Sequence, residues 1–119
     1  VRGDGTPLRQ FIYSEDLAKL LMWTLLEYEE RENIILSVSE HDEVSIGDVA
    51  RSIVKAMDFK GAIKFDTAFA NGQHKKTADN TKLVKELEVT GYEFNFTPIS
   101  KGIDESVTWF LENLNICRK

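Results

Sequence analysis

Between Ser45 and Met57, apolar residues recur every three or four positions, the spacing of one face of an α-helix. Ser45 precedes this stripe and Asp48 follows three residues later, which resembles a capping box with Asp in place of the usual Glu or Gln. The pattern predicts an amphipathic helix that must bury one face against the rest of the chain. The stripe consists of Ile46, Val49, Ala50, Ile53 and Met57.

Three further segments carry helical spacing. Ser14 is predicted to cap a helix whose first turn holds Glu15 and Asp16, because negative charge is favourable at the positive end of the helix dipole. Thr97 and Pro98 predict a capped helix that runs to the C-terminus, and a shorter helix is expected at 80–87. The inward faces are expected to be Leu17, Leu20, Leu21, Leu25 and Tyr28 in the first helix, and Ile99, Ile103, Val107, Phe110 and Leu114 in the last.

Short runs of strand character lie between these helices, at 10–13, 34–38 and 62–65. The alternation of helices and strands indicates an α/β fold, a small mixed sheet of short strands covered by helices. Asn71 and Gly72 predict a turn after the third run. Because the 119 residues contain no Pro/Gly linker and no repeat, we expect one domain covering residues 1–119.

Composition narrows the classes of function. The formal net charge of -5 argues against a nucleic-acid partner, since phosphate binding depends on clustered Lys and Arg. No apolar run approaches the roughly 18 residues that span a bilayer. Cys117 can form no internal disulfide, which fits a reducing compartment, so a soluble cytoplasmic protein is expected. The chain opens on Val and a Gly-rich turn, which indicates a part of a longer protein.

Catalytic and metal-binding residues are not indicated. The serines lack a Gly-x-Ser-x-Gly context, and no Tyr is followed four residues later by Lys. His41 and His74 are far apart and have no Cys or carboxylate at ligand spacing, so no metal site is expected. The Gly3-x-Gly5 pair precedes Thr-Pro and is interpreted as a turn, not as a dinucleotide-binding motif.

Two tryptophans and four cations complete the list of candidate residues. Trp23 and Trp109 lie in amphipathic segments, where core or interface packing is expected. The cations stand in predicted loops or at strand starts, where they can reach an anionic ligand such as a diphosphate through charge-assisted hydrogen bonds. On spacing alone, each cation also fits an ordinary solvated surface charge, and this alternative stays open. The four cations are Arg2, Arg9, Lys75 and Lys76.

Two longer motifs carry a resemblance to a known family. The first eighteen residues, Val-Arg-Gly-Asp-Gly-Thr-Pro-Leu-Arg-Gln-Phe-Ile-Tyr-Ser-Glu-Asp-Leu-Ala, resemble the start of the substrate-binding domain in extended short-chain dehydrogenases acting on nucleotide sugars. The run Asn-Gly-Gln-His-Lys-Lys-Thr-Ala-Asp-Asn-Thr-Lys-Leu, at 71–83, is similar to the GDP-L-fucose synthase family. This likeness covers nearly all of the chain. It implies a C-terminal substrate-binding domain whose N-terminal Rossmann domain, which binds NADP, is absent from this chain.

The resemblance also implies an activity for the full-length protein. GDP-4-keto-6-deoxy-D-mannose would be epimerised at C3 and C5, and then reduced with NADPH to GDP-L-fucose. The family's catalytic Ser-Tyr-Lys set and its Cys and His pair belong to the nucleotide-binding domain, and no residue of this chain matches them. We therefore expect this chain alone to be inactive, monomeric and without a cofactor, as part of a homodimeric enzyme.

Four residues match substrate-contacting positions of the family. Arg9 matches the substrate-binding Arg, whose planar fork of donors suits a diphosphate. Arg2 stands where the family has a Trp just before the Gly-x-Gly, and Asn71 stands where it has an Asp before Gly72. Lys76 matches a basic position near the nucleotide.

The departures at Arg2 and Asn71 keep a second class of function open. Some members of this superfamily keep the fold and bind nucleotides, but act as non-catalytic regulatory subunits. A Tyr-x-x-x-Lys in the N-terminal part would support the enzyme, whereas its loss would favour the binding subunit. A third alternative is another nucleotide-sugar epimerase or dehydratase, which differs in its substrate.

Overall fold

A computed structural model describes residues 1–117 and shows a small α/β fold with two short strands and four helices. Within these residues, no helix is long and apolar enough to cross a membrane. A 3₁₀ turn at Glu40–Asp42 precedes the second strand. The strands are β1 (Leu8–Arg9) and β2 (Val44–Ser45), and the helices are α1 (Ser14–Glu27), α2 (Ile46–Ala56), α3 (Thr81–Thr90) and α4 (Ile99–Glu112).

Helix α2 begins as the sequence predicts. The Ser45 hydroxyl oxygen accepts a hydrogen bond from the Asp48 backbone N–H at 3.0 Å, and the same hydroxyl donates to the Asp48 carboxylate at 2.7 Å. Arg51 donates to the other carboxylate oxygen at 2.7 Å, and this bond, followed by the one from Ser45, lowers the pKa of Asp48. The predicted cap is confirmed, and the helix behind it packs against α4.

The three predicted strands are wrong. The sheet pairs β1 with β2 antiparallel, with Leu8 opposite Ser45 and Arg9 opposite Val44. Residues 10–13, 34–38 and 62–65 lie outside both strands, although Arg2 forms a single parallel bridge with Asp66, one residue past the third run. Strand character in a sequence indicates an extended backbone that fits a pleated surface, but it does not supply the partner that makes a ladder.

The predicted inward face of α1 is only partly right. Leu20 is buried, but Leu21 is 54% exposed and Leu25 is 77% exposed, and the buried positions are Asp16, Leu20 and Trp23. Leucines stand on both sides of this helix, so their spacing does not select one face. Ser14 is the first helical residue and does not cap the helix, since the cap position is Tyr13, without a side-chain bond.

The contact of Asp16 with Thr97 selects the buried face of α1. Asp16 is only 3% exposed, and its carboxylate accepts from the Thr97 backbone N–H at 2.6 Å and from the Thr97 hydroxyl at 3.0 Å. A buried carboxylate needs such donors, so this side of the helix turns inward. Thr97 is therefore not the cap of α4; Pro98 occupies that position, without a side-chain bond.

A small core lies between α1 and α3. Trp23, at 2% exposed, fills its centre, and its indole N–H donates to the Thr90 hydroxyl at 3.0 Å. The packing predicted for Trp23 is confirmed, whereas Trp109 on α4 is 55% exposed and lies outside the core. Leu114 follows the end of α4, which is shorter than predicted, and α3 runs three residues past its predicted end. The buried cluster is Leu20, Trp23, Leu83 and Leu87.

The Gly-rich turn at the N-terminus is a packing element. Gly5 has a positive φ of 79°, and its carbonyl accepts a hydrogen bond of 2.8 Å from the Gly47 N–H in the first turn of α2. A Cβ on Gly5 would lie 2.4 Å from the Phe65 ring. The turn therefore brings the N-terminal segment against the start of α2, at a separation that suits only glycine.

Replacing Gly5 by Ala should destabilise the fold by about 3 kcal/mol, because left-handed strain and the clash with Phe65 add together. Gly91→Ala is the matched control, since Gly91 has a positive φ of 67° and nothing within 4 Å. This control should cost about 1 kcal/mol, from backbone strain alone. Urea unfolding of both variants measures the difference, and equal losses would show that the packing against Phe65 contributes nothing.

Candidate functional site

Two segments far apart in sequence, 2–10 and 66–78, run side by side in the structure. Five hydrogen bonds of 2.6–2.9 Å join them at intervals along their length, two of them between one pair of residues. All four residues predicted to contact a ligand therefore lie on two neighbouring segments. The bonded pairs are Gly3 with Asp66, Asp4 with Asn71, Leu8 with His74, and Gln10 with Ala78.

Arg9 and Lys76 line one groove of about 400 Å³ between these segments, which we call the Arg9 groove. Arg9 is half-buried in β1 and donates to the Leu8 carbonyl at 2.6 Å. Within residues 1–117, neither cation lies within 4.0 Å of a carboxylate. Two cations without an ion-pair partner on one concave surface make a suitable site for an anion.

Lys75 has a different environment from its neighbour Lys76. Its ammonium pairs with the Glu40 carboxylate and lies 3.5 Å from that of Glu43. The Thr77 hydroxyl also donates to Glu43, whose side chain is nearly buried. The charge of Lys75 is therefore already balanced by carboxylates, and the residue ties the 66–78 segment to the 3₁₀ turn.

Arg2 and Asn71 form a second group toward the N-terminal end of the same surface. The Arg2 guanidinium lies 4.6 Å from the centre of the Phe69 ring, a cation–π contact. The Asn71 side-chain carbonyl accepts from the Asp4 N–H at 2.8 Å. A Cβ on Gly3 would approach this oxygen to 2.5 Å, so the glycine makes the contact possible. Asn71 therefore joins the 2–10 and 66–78 segments, although it is exposed to solvent.

Sequence reasoning missed Gln10, which stands next to Arg9 and also lines the groove. Its side-chain amide makes three hydrogen bonds, to the backbone of Val38 and of Ala78. One signal was present: a lone amide residue between Arg9 and an aromatic-aliphatic run, where an apolar residue would suit a buried strand.

A second cavity, of about 480 Å³, lies between α2 and α4 and has a different chemistry. Its walls are mainly apolar, including Val49, Ile53, Ile103 and Val107, and no charged side chain lines it. A diphosphate would lose its hydration there without gaining a compensating charge. The Arg9 groove is therefore the better candidate for an anionic ligand.

The two histidines lie in separate segments, His41 in the 3₁₀ turn and His74 in the 66–78 segment. Within the described 117 residues, no group of three or more His, Cys, Asp or Glu side chains is arranged to hold a metal ion. The chemistry that this surface offers is anion binding by Arg and Lys.

Comparisons with curated proteins and with solved structures found similar proteins. No protein-family model matches the chain. Over all 119 residues, the chain is 54% identical to a GDP-L-fucose synthase of Dictyostelium discoideum and 46% identical to a probable GDP-L-fucose synthase of Drosophila melanogaster. Its structure matches the crystal structure of a GDP-L-fucose synthetase from Naegleria fowleri bound to NADP, with a TM-score of 0.91 and 49% identity.

These matches cover the whole chain but only part of each relative. The chain spans 36% of the length of the Dictyostelium and Drosophila proteins, and 36% of the Naegleria chain. The matching third is the C-terminal part of these proteins.

The contact between Lys75 and Glu40 should make stability depend on pH. The hydrogen bond from Lys75, followed by its charge, holds the pKa of Glu40 below its ordinary value of 4.5. A lowered pKa means that the contribution is present above about pH 4.5 and is lost as the pH falls through the folded-state value. The difference in urea midpoint between the original chain and Glu40→Gln should therefore shrink toward zero below that pH.

Glu112→Gln is a suitable control for this titration, because Glu112 is exposed at the end of α4 and has no ion pair within residues 1–117. It should leave the midpoint unchanged. A Glu40→Gln difference of the same size at every pH would contradict the assignment to Lys75.

Proposed function

We propose that this chain, whose whole length is homologous to the C-terminal part of GDP-L-fucose synthases, is the GDP-sugar-binding domain of such an enzyme. The observation that carries the proposal is the Arg9 groove, where two cations without carboxylate partners in the described chain face one concave surface. In a chain with a net charge of -5, such a site stands out as one built for a negatively charged ligand.

The diphosphate of a GDP-sugar is the part of the ligand that fits this groove. Arg9 is suited to a bidentate grip on phosphate oxygens, because its guanidinium is planar and always charged. Lys76, opposite on the 66–78 segment, adds a flexible point charge. Arg2 and Asn71, farther along the same surface, are proposed to contact another part of the ligand.

The proposed role of the domain in the reaction is to bind and to orient. NADPH, held by the part of the enzyme outside this chain, would supply the hydride that reduces the 4-keto group after epimerisation at C3 and C5. The residues of this chain would fix the position of the sugar ring, so that the energy of binding the diphosphate contributes to alignment. Because hydride transfer is assigned to the part of the enzyme outside this chain, we expect the 119 residues alone to turn over no substrate.

The exposed face of α1 supports the proposal that the 119 residues form one domain and that this domain packs against the rest of the enzyme. Four large apolar side chains, Leu21, Met22, Leu25 and Leu26, are all more than half exposed along it. An apolar patch of this kind is costly in water and is typical of a contact surface. We propose that the N-terminal part of the enzyme, which corresponds to the other two thirds of the relatives and binds NADP, covers this face.

Localisation and assembly belong to the same proposal. We place the protein in the cytoplasm, a reducing compartment that suits the free thiol of Cys117. The full-length enzyme is proposed to be a homodimer, and the 119 residues alone a monomer.

One observation favours a second candidate, a non-catalytic nucleotide-binding subunit. The Asn71 carbonyl is already engaged by the Asp4 N–H, so it makes a structural contact at a position where the sequence resemblance implies a substrate contact. Turnover by the full-length protein separates the two candidates, because the subunit would bind GDP-sugars without reducing them.

In the full-length enzyme, Arg9→Ala should raise the KM for the GDP-sugar while changing kcat little. Loss of a charge-assisted contact is expected to cost about 1.5–3 kcal/mol, which corresponds to roughly a 10- to 150-fold increase. Steady-state kinetics with the keto sugar and NADPH measure this change.

Arg51→Ala is the matched control, because it removes an exposed guanidinium on α2 whose partner is Asp48. It should leave the KM unaltered. An unchanged KM in Arg9→Ala would return Arg9 to the ordinary surface cations and remove the central support for the proposal.

The proposed domain contact predicts that the double variant Leu25→Gln/Leu26→Gln behaves differently in two settings. In the isolated 119 residues, both side chains are already exposed, so the free energy of unfolding should change by less than about 0.5 kcal/mol. In the full-length enzyme, the same change would place amides in an apolar contact and should lower the Tm by several degrees.

Val89→Gln, at an equally exposed position on α3, serves as the comparison and should leave the Tm of both forms nearly unchanged. Thermal unfolding of the isolated chain and the full-length enzyme provides the measurement. If the full-length enzyme tolerates the α1 variant as well as the isolated chain does, α1 is not the contact surface.

A further inference from the structure

We propose that Gln10 is a positioning residue, whose side-chain amide holds the segments that carry Arg9 and Lys76 at the separation needed for both to reach one diphosphate. This inference rests on the proposed function and adds a residue of the groove whose proposed part in binding is to position Arg9 and Lys76.

The Gln10 side-chain amide makes the hydrogen bonds that the backbone of a neighbouring strand would otherwise make. Its Nε2 donates to the Ala78 carbonyl at 2.9 Å, and its Oε1 accepts from the Ala78 N–H at 2.6 Å. A reciprocal pair of this kind is what a neighbouring antiparallel strand would make. The second Nε2 proton goes to the Val38 carbonyl at 2.7 Å, so one side chain connects three segments.

Backbone pairing between the two segments, which includes a parallel bridge of Leu8 with Lys75, stops before Gln10. Within residues 1–117, the last backbone hydrogen bond between the 2–10 and 66–78 segments is that from Leu8 to His74. Beyond it, the Gln10 amide makes the connection, and among the described residues no backbone hydrogen bond joins Val38 directly to Ala78. The Asn80 amide adds a bond of 3.0 Å to the carbonyl of Ser37, which also lines the groove.

The position of Gln10 relates it to both cations of the groove. Gln10 directly follows Arg9, and its partner Ala78 lies two residues after Lys76. Lys75 and Thr77, which flank Lys76 directly, both reach Glu43 with their side chains. The backbone around Lys76 is therefore anchored to Glu43 on both sides, and it is joined to the Arg9 segment by Leu8 before Lys76 and by the Gln10 amide after it.

A carboxamide is the group that this position requires. It offers two N–H donors for two carbonyls and one oxygen for an N–H, all on one planar unit. A glutamate here would face the Val38 and Ala78 carbonyls with an oxygen and would place a negative charge beside the proposed diphosphate. A side chain without donors would leave two half-buried carbonyls without these partners.

The test uses the full-length enzyme with Gln10→Met, which keeps the length of the side chain and removes all three hydrogen bonds. We expect the KM for the GDP-sugar to rise about tenfold, because the two cations no longer sit at a fixed separation. The kcat should stay within about twofold, and the KM for NADPH should not change.

Thr90→Val is the matched control, since it removes the hydrogen bond to Trp23 in the core, away from the groove. It should lower the Tm without changing the KM for the GDP-sugar. If Gln10→Met lowers the Tm as Thr90→Val does and also leaves this KM unchanged, Gln10 is purely structural and the inference is wrong.

Two further variants make the outcomes separable. If Arg9→Ala raises the KM for the GDP-sugar and Gln10→Met does not, only the positioning role of Gln10 is wrong. If neither variant raises this KM, both the positioning role and the proposed function are wrong. Gln10→Asn, which keeps the amide one methylene short of its partners, replaces Gln10→Met if the latter does not fold. It should show the same increase in KM, and an unchanged KM in a folded Gln10→Asn would overturn the inference.

Discussion

The side-by-side course of residues 2–10 and 66–78 is the constraint on which the rest of the site depends. Paired residues of the two segments, such as Asp4 and Asn71, stand 67 positions apart in the sequence, so bringing them together has a cost in loop entropy that local structure cannot offset. Five hydrogen bonds and the packing of Gly5 on α2 hold them in place. Arg9 and Lys76 share a groove only because this arrangement exists.

Polar side chains make many of the connections that backbone hydrogen bonds would make in a larger sheet. Asp16 binds the Thr97 backbone, Asn71 binds the Asp4 backbone, and Gln10 binds Val38 and Ala78. In each case a side chain satisfies backbone groups where no strand neighbour is present. Among the described residues, every buried side-chain nitrogen or oxygen has a hydrogen-bond partner, so these connections leave no buried polar group unsatisfied.

The features that sequence reasoning predicted correctly are those whose causes lie within a few residues. The Ser45 cap and the inward residues Ile103 and Val107 follow from contacts inside one helix and from its period. The errors share the opposite property. Helical spacing predicts that Leu21 and Leu25 turn inward. However, a contact between Asp16 and Thr97, which are far apart in the sequence, decides which face of α1 is buried. The strand predicted at 34–38 is wrong for a similar reason, because the Val38 carbonyl accepts a hydrogen bond from the Gln10 side chain and not from a neighbouring strand.

By itself, the sequence determined where helices form, that the fold is α/β, and that Arg9 and Lys76 are candidates for a diphosphate. These conclusions rest on local propensity, periodicity and motifs, which need no knowledge of distant contacts. Only the tertiary structure decided that the two cations face one groove, that Lys75 is already paired with Glu40, and that Gln10 connects the walls. The physical reason is that a charge or an amide acquires its role from its partners, and here those partners come from distant segments of the chain.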